Sequence, residues 1–199
     1  MICTITSSKN GSEDSSATTI EGWHGWSHER AIHFLHGGPI VILDTATGGA
    51  GLAALSWNSE APMEADGEGQ WALGGARLHS IALLPTLAEL RGEQLLMRSE
   101  QPGALAHATL FLPEAWAAAR IESAADERAL ALEIEGAEGA LTLWLNTAPG
   151  ESITLGWITS DAEALLLREG QLCSIGGTRA EIGGARFTLP AGEGCQPLP

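Results

Sequence analysis

Along most of the chain, apolar residues alternate with polar or small ones at a period of two, the spacing of half-buried β-strands. Arg30, Ile32, Phe34 and His36 fall on one face of such a strand, and Ala31, His33 and Leu35 on the other. Residues 39–44 (PIVILD) are almost continuously apolar, as in a strand covered on both sides. The alternation returns at Leu130, Leu132 and Ile134, at Leu141, Leu143 and Leu145, and at Ile153, Leu155 and Trp157. Glycine pairs separate the runs, among them Gly37-Gly38, Gly74-Gly75, Gly176-Gly177 and Gly183-Gly184. Glycine admits the positive φ of tight turns, so short alternating segments between such pairs read as hairpins. The pattern predicts an all-β fold, an antiparallel β-sandwich of many short strands. Helix competes at 87–98 and 113–128, which are rich in Ala, Leu, Glu and Arg. Gly92 interrupts the first, and Pro113 suits the first turn of the second, so the fold class admits one short helix. Residues 7–18 are polar, and 1–18 read as a flexible or loop-like arm, 19–189 as one sandwich domain, and 190–199, with three prolines, as an irregular tail.

Composition narrows what such a domain can do. The 199 residues hold 10 Lys and Arg against 25 Asp and Glu, a formal charge of −15. That balance excludes nucleic acid and anionic membranes as partners, because Lys and Arg supply the affinity for phosphate. No apolar run approaches the roughly 18 residues of a membrane span. The opening residues carry no signal-peptide pattern, so the compartment is left open. Lys9 is the only lysine and tyrosine is absent, which removes a lysine nucleophile from the body of the chain and a phenolic acid or base from all of it. Cys3, Cys173 and Cys195 form no CxxC pair, and unpaired thiols are favoured over a Cys173–Cys195 bridge.

Candidate chemistry concentrates in 23–36, where four of six histidines lie near Trp23 and Trp26. His28, Glu29 and His33 resemble the zinc-protease HExxH, but the histidines are one residue too far apart to share a helix face. On a strand, His28 and His36 share a face and His33 points away, so one ion cannot gather all three. No metal ligand and no cofactor is therefore assigned. Ser27 lacks the second glycine of a nucleophile elbow, and no phosphate-binding loop occurs. Asp44 ends an apolar strand before a Gly-containing turn, where a capping aspartate is the plain reading. Seven tryptophans are many for this length. They serve as core anchors or, exposed, as sugar-stacking platforms.

Residues 23–57 (WHGWSHERAIHFLHGGPIVILDTATGGAGLAALSW) resemble part of the C-terminal domain of heparinase II/III-like polysaccharide lyases. His28 and Arg30 match the His-x-Arg opening of a strand, Gly37-Gly38 the hairpin, and 40–44 the hydrophobic strand ending in Asp44. Asn58 stands where the family commonly carries a histidine. The resemblance implies a β-sandwich packed against a catalytic α/α toroid that cleaves uronic-acid polysaccharides by β-elimination. With no tyrosine and few helical segments, this chain corresponds to the sandwich alone, a fragment or one piece of a split protein. No catalytic residue is assigned to it. His28, Arg30 and Asp44 take an architectural role, in which Arg30 pairs with an acidic neighbour near the turn. The implied partners are a polysaccharide or a toroid on the same or a separate chain, and the implied setting is periplasmic or extracellular if the lyase is exported. The alternative is a free-standing carbohydrate-binding module using Trp23 and Trp26. A metal-dependent cupin is set aside, because its His-x-His with a following Glu and later His is absent.

Overall fold

The computed structural model describes residues 2–9 and 13–198, with side chains from His24 to Leu198. Among them the only helical element is a 3-10 turn at Glu114–Trp116. The rest of the regular structure is antiparallel sheet, so the fold is an all-β sandwich architecture. The chain divides into two compact units, with the boundary between Ala117 and Ala118.

The first unit contains β1 (Ile2–Lys9), β2 (Glu13–Trp23), β3 (Trp26–Leu35), β4 (Ile40–Gly48), β5 (Ala54–Asn58), β6 (Glu64–Gly67), β7 (Gln70–Leu73), β8 (Ala76–Ala82), β9 (Thr86–Arg91), β10 (Gln94–Ser99) and β11 (Ala104–Leu112). Eight strands form one sheet in the order β1-β2-β3-β4-β11-β8-β7-β6, and β5-β10-β9 form a second. Met63, Trp71, Leu78 and Leu95 make a core shared by both sheets, with Trp57, Leu90 and Phe111 against it. The central pair β4 and β11 carries buried residues on both faces, Val41, Ile42, Leu43 and Asp44 among them, as the run PIVILD demands. His24 and Gly25 both have positive φ, 49° and 82°, and form the two-residue turn that joins β2 to β3.

The second unit contains β12 (Arg120–Asp126), β13 (Ala129–Gly136), β14 (Gly139–Asn146), β15 (Ile153–Leu155), β16 (Ile158–Ser160), β17 (Ala164–Arg168), β18 (Gln171–Ile175), β19 (Arg179–Ile182), β20 (Ala185–Thr188) and β21 (Glu193–Pro197). Its sheets run β12-β13-β14-β17-β18-β21 and β15-β16-β19-β20. Trp144, Ile153, Ile158, Leu165, Leu172, Ala180 and Ile182 pack between them.

Several expectations meet a different geometry. Helix does not form at 113–128 beyond one 3-10 turn, because Asp126 closes a hairpin instead. Its carboxylate accepts the backbone N–H groups of Arg128 and Ala129, and β12 pairs with β13. The other helix candidate is the β9–β10 hairpin, turned at Gly92 with φ 63°. Where the pattern reads as one domain over 19–189, two compact units stand, and no polar linker marks the joint at 117–118. In the expected arm over 1–18, Ile2–Lys9 and 13–18 are strand, their Thr, Ser and Ile continuing the sheet outward from β3. The expected tail over 190–199 contains β21. Cys195 of β21 lies opposite Cys173 of β18, and the two form a disulfide, contrary to the favoured unpaired thiols.

Candidate functional site

The densest polar cluster lies in the first unit. Arg30 and Asp44 are register partners across β3 and β4, and His28 stands one step diagonal on the same face. Asp44 is completely buried. Its Oδ1 accepts from Arg30 Nε at 2.7 Å, its Oδ2 accepts from Arg30 Nη2 at 3.1 Å, and His28 Nε2 lies 3.0 Å from Oδ1. A buried carboxylate demands such partners, and the two-pronged guanidinium contact is the strong form. The indole of Trp57, on β5, lies over Arg30 with its centroid 5.0 Å from the guanidinium carbon. Trp57 Nε1 donates to Thr109 Oγ1 at 3.1 Å, which ties the small sheet to the large one.

A second polar pair lies on β11 and β8. His107 is the register partner of Asp44 on the other side of β4. It is fully buried, and its Nε2 lies 2.7 Å from Ser80 Oγ. Burial pushes the His107 imidazole down to about 4, against the opposing pull of the Asp44 charge, so the ring is neutral near pH 7. On the opposite face of the same sheet, His79 is likewise pushed down to about 4 by burial and the Arg77 charge, with Asp66 opposing. His107 Nδ1 and His79 Nε2 have no hydrogen-bond partner. An apolar cleft of about 280 Å³ lies beside Trp57, walled by Ile40, Ile42, Met63, Leu78 and Phe111.

This arrangement is suited to holding sheets together. All the acceptor atoms of Asp44 are engaged, and the Ser80–His107 pair sits between layers with Met97 against the hydroxyl. No group of three or more potential metal-binding side chains occurs among the described residues. His33 is buried on the face away from His28.

The tryptophans divide by environment. Trp71, Trp116 and Trp144 are buried. Trp26 is half-buried, and its ring lies where a side chain at Gly49 would have to go. Trp23 is the register partner of Trp26 across the hairpin turn, and its side chain lies outside the described residues. Trp157, expected to continue the β15 alternation, instead follows the Gly156 turn and is exposed. Sequence reasoning singled out His28, Arg30 and Asp44 but missed Trp57, Ser80, His107 and Thr109. A signal was present for His107: a lone histidine inside the apolar run ALAHATLFL sits in a strand buried on both faces.

Comparison with solved structures places this fold. The chain is similar to the crystal structure of heparinase III, with a TM-score of 0.54 and 15% identity over 72% of this chain. It is also similar to the heparan sulfate lyase HepC from Pedobacter heparinus, with a TM-score of 0.50 and 13% identity over 71%. The heparinase III BT4657 gene product matches with a TM-score of 0.53 in its methylated-lysine form. This chain spans about a quarter of those proteins, 27% of heparinase III and 28% of HepC. At such identity the likeness is one of fold. No protein-family model matches the sequence, and no curated protein does.

Proposed function

We propose that this chain is a non-catalytic β-sandwich module of a heparinase II/III-like polysaccharide lyase. It packs against a catalytic α/α toroid, on the same or a separate chain, and shapes the cleft in which a uronic-acid polysaccharide is cleaved by elimination. The observation that carries this reading is the fold likeness over 72% of this chain but only 27% of heparinase III. Two features of the chain support it. Elimination needs a base at C5 and a proton donor at the leaving oxygen, and the sequence has no tyrosine. Of its two strongly perturbed histidines, His107 is sealed between layers and His79 is buried on the opposite face. In this reading Asp44 with Arg30 and His28 is a clamp that ties β3 to β4 in the middle of the large sheet. The test is direct. The purified chain is mixed with heparan sulfate, heparin, chondroitin and alginate, and absorbance of the unsaturated product is followed. No turnover is expected from the chain alone, and sustained turnover overturns the non-catalytic assignment.

The alternative, a free-standing carbohydrate-binding module built on Trp23 and Trp26, draws less support. Trp26 is half-buried against Gly49, and three further tryptophans are core residues.

A further inference from the structure

The second unit carries a feature that the lyase reading leaves unused. Trp157 follows the Gly156 turn between β15 and β16 and is 45% exposed, yet it is held at two points. Its backbone carbonyl accepts from Gly183 N at 2.9 Å, and its indole Nε1 donates to Glu133 Oε1 at 2.6 Å. An exposed tryptophan on a free loop loses rotamer freedom when it binds anything. This one has already lost it, so less ordering entropy remains to oppose binding.

The surroundings have a definite chemistry. Glu133 on β13 is the register partner of Glu122 on β12, so two exposed carboxylates stand side by side on one face. Like charges directly opposite each other destabilise a sheet. Each is partly compensated by a different donor: Trp157 for Glu133, and Arg120 for Glu122. Thr142, the other register partner of Glu133, adds a hydroxyl to the same face. An unfavourable pair kept on a surface, beside a pinned aromatic ring, is the kind of local conflict that functional sites retain.

We propose that Trp157, with Glu133, Glu122 and Arg120, forms a subsite for one uncharged sugar ring of a polysaccharide. The C–H face of a pyranose stacks on the indole, its equatorial hydroxyls donate to the two carboxylates, and the Arg120 guanidinium donates to a ring or hydroxyl oxygen. Two carboxylates against one guanidinium disfavour a sulfate or uronate at this position. The subsite is therefore distinct in chemistry from a cleft that takes uronic acids, and it does not depend on the lyase reading.

Calorimetric titration of the full chain with cello-, xylo-, manno- and chito-oligosaccharides tests this, with a heparan sulfate oligosaccharide and tetramethylammonium as competing ligands. At least one neutral oligosaccharide is expected to bind. Trp157→Ala should weaken that binding by about tenfold or more, the scale of losing one stacked ring. Trp157→Phe keeps the stack without the Glu133 anchor and should fall between, and Glu122→Gln should weaken binding without lowering the urea midpoint. The proposal is overturned if no neutral oligosaccharide binds at millimolar concentration. It is equally overturned if Trp157→Ala binds as well as the unaltered chain, or if the charged glycan or the ammonium ion is the preferred ligand. Failure of the lyase assay leaves each of these outcomes intact.

Discussion

The two units solve the same problem, two sheets facing one another, with interiors of different chemistry: among the described residues, charged groups are buried in the first, and only neutral Asn146, Ser160 and Ser174 in the second. Between the sheets of the first lie a buried carboxylate, a guanidinium, imidazoles and hydroxyls, in the cluster of Asp44, Arg30, His28, Trp57 and Thr109 and in the separate Ser80–His107 pair. Between the sheets of the second lie Trp144, Leu165, Leu172, Ile153, Ile158 and Ile182, and a disulfide ties β18 to β21. Apolar packing has no charge to titrate and is tolerant of pH. A buried network of charged groups is not, because each donor must meet its acceptor or leave a charge stranded. The first unit should therefore be the more specific and the more fragile, and the second should depend on oxidation. Segment-resolved hydrogen exchange reports the units separately.

The largest effect expected is from Arg30→Ala. It leaves Asp44 buried with only His28 beside it, and breaking a buried pair in this way costs about 3–5 kcal/mol. Asp44→Ala should cost less, because the Arg30 side chain is 32% exposed and can turn to water. Exchange protection should fall in β3, β4 and β11 and stay unchanged in β13, β14 and β17. Equal loss in both units would break the contrast.

Next comes acid. The His107 imidazole is held at about 4 in the folded chain and returns to an ordinary value near 6.5 on unfolding. Above pH 6.5 both states are neutral and nothing is lost. Between 6.5 and 4 the unfolded state takes up a proton that the folded state refuses, so stability falls as pH falls. One such group amounts to about 3 kcal/mol by pH 4. His79 acts with the same sign. Urea unfolding at pH 7 and pH 4.5 should show the first unit weakening, with the second nearly constant. Reduction of Cys173–Cys195 should do the reverse. The bridge spans 22 positions, for which chain-entropy arguments give about 3 kcal/mol, confined to the second unit.

Much of this was written in the sequence, for reasons that explain the omissions as well. Period-two alternation located β3, β13 and β14, and the run PIVILD located a strand buried on both faces, because those signals depend only on neighbours along the chain. Arg30 and Asp44 were each singled out, Arg30 as pairing with an acidic neighbour near the turn and Asp44 as a turn cap, and one short hairpin brings the two together inside the sheet instead. Trp57, Ser80 and His107 reach the same cluster from strands whose pairing no local pattern encodes. The segment 113–128 left helix open as a competitor, and strand wins there because helix propensity is weak where a turn-forming aspartate and a waiting strand compete. The resemblance to heparinase II/III-like lyases rested on 23–57, with a loose match over 15–190, and the likeness of fold covers 72% of the chain.

The smallest effect sharpens the comparison best, because it probes one bond of the network with almost no change in shape. Thr109→Val replaces a hydroxyl by a methyl at a buried position of β11. The packing volume is kept, so the loss is that of the Trp57 Nε1 hydrogen bond, about 1 kcal/mol. Its readout is selective. Trp57 also lies over Arg30, so freeing the indole should lower exchange protection in β5 and disturb the Arg30 contact before it affects β9. The matching substitution in the second unit, Thr142→Val, touches a half-buried threonine of an apolar sandwich, where the change should be within about 0.5 kcal/mol. If the two valine variants lose the same amount, the polar network of the first unit is not acting as a network. Its members are then separate, locally satisfied groups.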